Sequence, residues 1–148
     1  MTLALASGNP HAREIIAAVR ACIGTRFRSQ GRTPGLGLDC VGVALVAARA
    51  AGMSAPVVPL YQLGGDNEAA VDALIEMAGM VRAAEPRAGD LWLFAPAPRQ
   101  RHFAVQVTET ASRSSDPWRF VHAHAGIGRV VEAPADPAWV QLAIFRFP

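Results

Sequence analysis

The chain contains no lysine, and all 14 of its basic residues are arginine. With alanine abundant, that composition is typical of GC-rich bacterial or phage genomes. Charged residues make up only 18% and the formal net charge is +2, too small for an electrostatic footprint on nucleic acid. No run of about 18 uncharged apolar residues exists, so membrane insertion by a helix is not expected. There are only two cysteines, Cys22 and Cys40, which form neither a disulfide framework nor a zinc spacing. A bond between the two stays open at this level. Met1 to Ser7 is short and lacks a basic n-region, so no secretory signal is expected.

What is present points to a single folded domain over residues 1–148. Hydrophobic residues reach 51%, which excludes disorder as the main state. A chain of 148 residues can bury a core without disulfides or metals. A first helix is expected to open at Asn9-Pro10, with Ile15, Ile16, Val19, Cys22 and Ile23 at helical spacing and Gly24 ending it. Gly24, Gly31, Gly35 and Gly37 then punctuate an ordered loop. A helix follows from Cys40 to Gly52, capped by Asp39 and apolar nearly all round, as a helix buried at a domain centre would be. Residues 67–79 also read as helical, and residues 53–66 as a connection.

Beyond Gly79 the pattern changes to strands. Leu91–Phe94, His102–Thr108, Trp118–Ala123, Arg129–Glu132 and Trp139–Phe147 are rich in β-branched and aromatic residues. Ser112–Pro117 reads as a polar hairpin connection. Helices first and strands after argue an α+β fold, with an antiparallel sheet packed on the helices.

Cys40 is the best candidate for chemistry. A cysteine in the first turn of a helix faces free backbone N–H groups and the positive end of the helix dipole. That setting favours the thiolate, the nucleophilic form, and offers donors to an oxyanion. The residue pattern alone fits a buried structural cysteine equally well. Cys22, on an apolar helix face, reads as core. A nucleophile needs a base, and His102 opens a strand where a cleft edge is expected. His122 and His124 alternate with Ala123, so they share one strand face. One of them could orient His102. With His102 they could also form a metal site, but no carboxylate stands at a convincing spacing to complete it.

Several segments in order carry a family resemblance: Gly24-Thr25-Arg26-Phe27, the glycine-rich loop, Leu38-Asp39-Cys40-Val41-Gly42, Arg87-Ala88-Gly89-Asp90-Leu91, Arg101-His102-Phe103-Ala104-Val105 and Phe120-Val121-His122-Ala123. Together they resemble the NlpC-type papain-like cell-wall peptidases. The Asp-Cys-Val-Gly form and the closing Phe145-Arg146-Phe147-Pro148 look most like the branch found in tailed phages and gene transfer agents. The resemblance implies a papain-like α+β core with a buried nucleophile helix on an antiparallel sheet. It implies Cys40 as nucleophile, His102 as general base and His122 as the orienting residue. Asp39, Phe27, Arg28 and His124 are expected to bind substrate, His124 as a flanking cleft residue off the family motif. The implied reaction is hydrolysis of peptidoglycan stem peptides through a thioester, with no cofactor and no metal. Tail hub or tail-tip proteins are implied partners. The implied setting is synthesis in the bacterial cytoplasm, carriage in a virion or particle tail, and action in the target cell's periplasm. The alternative is a structural tail-tip or plug protein with weak or vestigial catalysis.

Two departures stand out. Many members carry tyrosine where this chain has Phe27, so a hydroxyl near the nucleophile is missing. Val41 replaces the usual serine, a change expected to affect packing. Arg26, Arg28, Arg32, Arg99 and Arg101 read as loop residues near the cleft that could meet carboxylates, or as solvated surface charge.

Overall fold

The computed structural model describes residues 8–54, 58, 61, 67–109 and 118–148. Most of the 53–66 connection and the Ser112–Pro117 hairpin lie outside these residues, as does Met1–Ser7. Helix α1 spans Ala12–Arg20 and buries Ile15 and Val19. It starts two residues later than the Asn9-Pro10 signal suggests. Asn9 instead heads a turn, its Oδ1 accepting from the His11 N–H at 2.9 Å. Cys22 lies just past the helix in the following turn, buried in the core rather than mid-helix.

The glycine-rich loop holds a small hairpin, β1 (Arg32–Thr33) and β2 (Gly37–Leu38), which sequence pattern does not reveal. Helix α2 spans Cys40–Ala50, with Asp39 at its N-cap accepting from the Gly42 N–H at 2.8 Å. Gly52, with φ at 84°, follows the helix end as expected. Gly42 has a second role at a close approach. A Cβ there would fall 2.3 Å from the Gly31 carbonyl oxygen, so the helix start and the loop pack backbone against backbone. Helix α3 spans Glu68–Ala78 and ends at Gly79 in the left-handed region.

The remaining elements are β3 (Val81–Arg82), β4 (Leu91–Ala95), β5 (His102–Gln106), β6 (Arg119–His124), β7 (Arg129–Pro134) and β8 (Val140–Arg146). They form a six-stranded antiparallel sheet in the order β3-β8-β4-β5-β6-β7. The α+β expectation holds, and β3 is an added edge strand.

Both faces of the sheet are covered. Leu91, Leu93, Phe103, Val105 and Val121 join α1, α2, Val71 and Leu74 in the main core. Trp92, Phe94, Ala104, Phe120 and Ile144 alternate with these and form an aromatic cluster on the other face, with Trp118 and Trp139 packed against it. Trp92 and Phe120 meet edge to face at 4.9 Å between centroids. This second cluster explains why every residue of β4 is buried. Asp90, wholly buried at the turn into β4, takes a bidentate pair from Arg146 at 2.8 and 2.7 Å. The Gly89-Asp90 and Phe145-Arg146 motifs thus tie the last strand to the centre of the sheet.

Candidate active site

Strands β5 and β6 pair only through Val105–Val121 and Gln106–Phe120. Ahead of that ladder, His102, Phe103 and Ala104 have no registered partner on β6, and the strands part. Helix α2 packs against β5 and β6, which brings its first residue to this gap. His102, His122 and His124 share the strand parity of Ala104 and Phe120, on the aromatic side of the sheet. Cys40 arrives from the helix side, and all four line one open cleft of about 250 Å³.

Within the cleft, His102 Nε2 lies 2.9 Å from His122 Nδ1, with the rings nearly perpendicular. Trp139 packs edge to face on both rings, with centroids 4.8 Å from His102 and 5.5 Å from His122. His124 Nδ1 accepts from the Ile127 N–H at 3.0 Å, so the proton of neutral His124 sits on Nε2. For His102 to act as a base at Nδ1, its own proton must sit on Nε2 and be given to His122 Nδ1. The observed contact is compatible with that tautomer pair.

The electrostatics differ from the expectation of a resident thiolate. Burial pushes the Cys40 thiol up to about 12, and the Asp39 charge pushes the same way. Backbone N–H groups of Phe103 and Val41 act in opposition, as does Arg32, and they lose. A helix N-terminus supplies about 0.3–1 kcal/mol, or about 2 in favourable geometry. A rise from 9.0 to about 12 corresponds to about 4 kcal/mol, so desolvation decides. Burial likewise pushes His102 down to about 3 and His122 to about 4, helped by repulsion from neighbouring histidines. Both shifts favour the neutral thiol and the neutral imidazoles over an ion pair.

Two residues expected to bind substrate lie elsewhere. Asp39 is wholly buried. Its carboxylate is spent on the Gly42 N–H, the Gln30 N–H, Arg32 Nη1 at 3.1 Å and the Tyr61 hydroxyl. It positions Cys40 and presents no face to the cleft. Arg28 lines a separate depression with Arg26 and Arg129. Phe27 and His124 do line the cleft. The only tyrosine of the chain, Tyr61, binds Asp39 and Arg32 through its hydroxyl, so it does not replace the group missing at Phe27.

The cleft also contains residues that sequence reading passed over. Asn67 clamps Arg101, its Oδ1 accepting from the Arg101 N–H at 2.7 Å and its Nδ2 donating to the Arg101 carbonyl at 3.1 Å. That clamp fixes the backbone immediately before His102. Arg101 itself pairs with Glu68 and Asp72. Trp139 carried only a strand signal, and nothing in the local sequence marks Asn67. Both cysteines are free, and no group of three potential metal ligands exists among the described residues.

The architecture has known counterparts among solved structures. NlpC1 and NlpC2 of Trichomonas vaginalis superpose with TM-scores of 0.65 and 0.64, at 17% and 16% identity, each over 94% of this chain. The P60 domain of a Mycobacterium avium subspecies paratuberculosis antigen matches with a TM-score of 0.55 and 16% identity, over 92% of this chain and 93% of that one. The fold is that of NlpC/P60 domains. This papain-like α+β fold is the one the motifs implied. The chain spans less than half of the two Trichomonas proteins, 44% of NlpC1 and 46% of NlpC2. No protein-family model matches the sequence, and no curated protein matches it.

Proposed function

We propose that this NlpC/P60-fold chain is a cysteine peptidase that hydrolyses amide bonds in peptidoglycan stem peptides. The observation that carries the reading is the contact of 2.9 Å between His102 Nε2 and His122 Nδ1, in a cleft that also holds Cys40 at a helix start. Cys40 is the nucleophile, His102 the general base and His122 the residue that orients it. Phe27, His124 and Trp139 form walls along which the peptide lies.

Since desolvation favours the neutral forms of both the thiol and the imidazole, proton transfer accompanies attack. His102 Nδ1 takes the Cys40 proton as the sulfur bonds to the stem-peptide carbonyl carbon. The resulting oxyanion is held by backbone N–H groups, including that of Cys40. Collapse breaks the C–N bond, and His102 returns the proton to the leaving amine. Water, deprotonated by His102, then attacks the thioester, releasing a carboxylate and restoring the thiol.

The resemblance of the Asp-Cys-Val-Gly and Phe-Arg-Phe-Pro segments to tail-borne peptidases supports a place in a phage or gene-transfer-agent tail, acting in the target periplasm. A second reading, a structural tail-tip or plug component with weak catalysis, is favoured by Phe27 in place of tyrosine and by the burial of Cys40, which disfavours its thiolate. The deciding experiment incubates the purified protein and Cys40→Ala with Gram-negative peptidoglycan and identifies released muropeptides by mass spectrometry. Cleavage only by the wild type is expected, and the product names the bond. Equal release by both proteins would remove Cys40 as nucleophile. A folded but silent wild type would favour the assembly role.

A further inference from the structure

The segment that walls the cleft also borders a second depression. Along extended backbone, side chains alternate. Phe27 faces the cleft, whereas Arg26 and Arg28 on either side of it line a depression of about 330 Å³, with Arg129 opposite. None of these three arginines forms an ion pair among the described residues. That contrasts with Arg20, Arg32, Arg87, Arg101, Arg119 and Arg146, each of which pairs with a carboxylate.

All three arginines are exposed, and two of them, Arg28 and Arg129, are held by contacts of their side chains. Arg129 Nη1 donates to the Gly24 carbonyl at 2.7 Å. The Arg28 stem lies across Gly37, where a Cβ would fall 2.5 Å from Arg28 Cδ, so only glycine lets it lie there. The Thr25 hydroxyl accepts from the Gly35 N–H at 2.9 Å and ties the hairpin tip to the Arg26 segment. Like charges held together without a counter-charge repel one another, and an oxyanion relieves that repulsion while accepting from the guanidinium forks.

We propose that Arg26, Arg28 and Arg129 form an oxyanion-binding site, a receptor for a carboxylate or phosphate group, on the far side of the Phe27 segment from the cleft. It shares no side chain with the cysteine–histidine cluster, so it does not depend on the peptidase reading.

The test is a titration of the labelled protein with inorganic phosphate and, separately, with citrate, followed by amide NMR shifts at fixed ionic strength. Saturable shifts are expected at residues 24–28, at Gly35 and Leu36, and at Arg129. Saturation by phosphate alone assigns a phosphoryl source, by citrate alone a carboxylate source, and by both a site that reads charge and geometry. Arg26→Gln and Arg28→Gln retain most of the stem, and each is expected to weaken binding by about tenfold. Their spectra report folding in the same experiment. Absence of saturable shifts with either anion, or equal affinity in the wild type and the Arg26→Gln/Arg28→Gln double variant, would overturn the proposal.

Discussion

His102 Nε2 and His122 Nδ1 face each other at 2.9 Å, a geometry that one shared proton sustains and a proton on each nitrogen breaks. His122 is buried and His102 half-buried, and desolvation makes both resist protonation, to about 3 for His102 and about 4 for His122. An unfolded histidine takes its proton near pH 6.5. Between these values the unfolded chain therefore binds more protons than the fold. Stability from this pair is complete above about pH 6.5 and falls as the pH drops toward 4 and 3. The expected slope approaches about 1.4 kcal/mol per pH unit for each histidine. Urea midpoints at about pH 7 and about pH 5 measure it, and His122→Asn should remove about half of the difference. A flat profile would mean that the rings are solvated.

Thiol chemistry gives a second check. With its thiol pushed up to about 12, Cys40 is expected to alkylate slowly with iodoacetamide at neutral pH. The rate should keep rising with pH beyond the range where an exposed cysteine levels off. Peptide mapping by mass spectrometry separates Cys40 from Cys22, whose thiol burial also raises. A fast plateau at neutral pH, lost in His102→Ala, would show a resident thiolate–imidazolium pair instead.

Asp39 is expected to govern the stability of the helix start. Asp39→Ala removes the α2 cap, leaves Arg32 without its carboxylate and leaves the Gln30 N–H without its acceptor. A cost of about 3 kcal/mol follows from the broken pair and the lost cap, and urea unfolding measures it. Asp39→Asn keeps a cap acceptor and should cost less. Equal stability of Asp39→Ala and wild type would show that the network around Tyr61 carries no net energy.

Phe27 offers a gain-of-function test. It lines the cleft with Cys40 and lacks the hydroxyl that the family resemblance leads one to expect at this position. Phe27→Tyr is expected to raise kcat on stem peptides by about tenfold or more, with little change in KM, since one oxyanion donor is worth about a hundredfold or more in rate when well aimed. An unchanged kcat would place the Phe27 edge out of reach of the reacting carbonyl.

Much of this architecture is legible in local pattern. The Asp39 cap, the all-round apolar helix that follows it, the glycine stop at Gly52, and the main strands of the sheet each follow from near-neighbour chemistry. Each depends on contacts within a few residues, so the order of types along the chain determines it. The alternation of His122 with Ala123 and His124 likewise set their common face. The β1–β2 hairpin and β3 were not legible, because two-residue strands owe their pairing to partners elsewhere.

What only the tertiary structure decided is what each polar group meets. Sequence placed Asp39 and Arg28 at the substrate, but packing buried the first beneath the helix start and aimed the second at another depression. Helix position argued for a thiolate at Cys40, while the depth of burial, a property of the whole packed core, reversed the sign. Asn67 and Trp139 come to the histidines from distant parts of the chain. The reason is one of range. Caps and periodicity act over a turn of backbone, whereas desolvation and charge pairing depend on every element packed around a group.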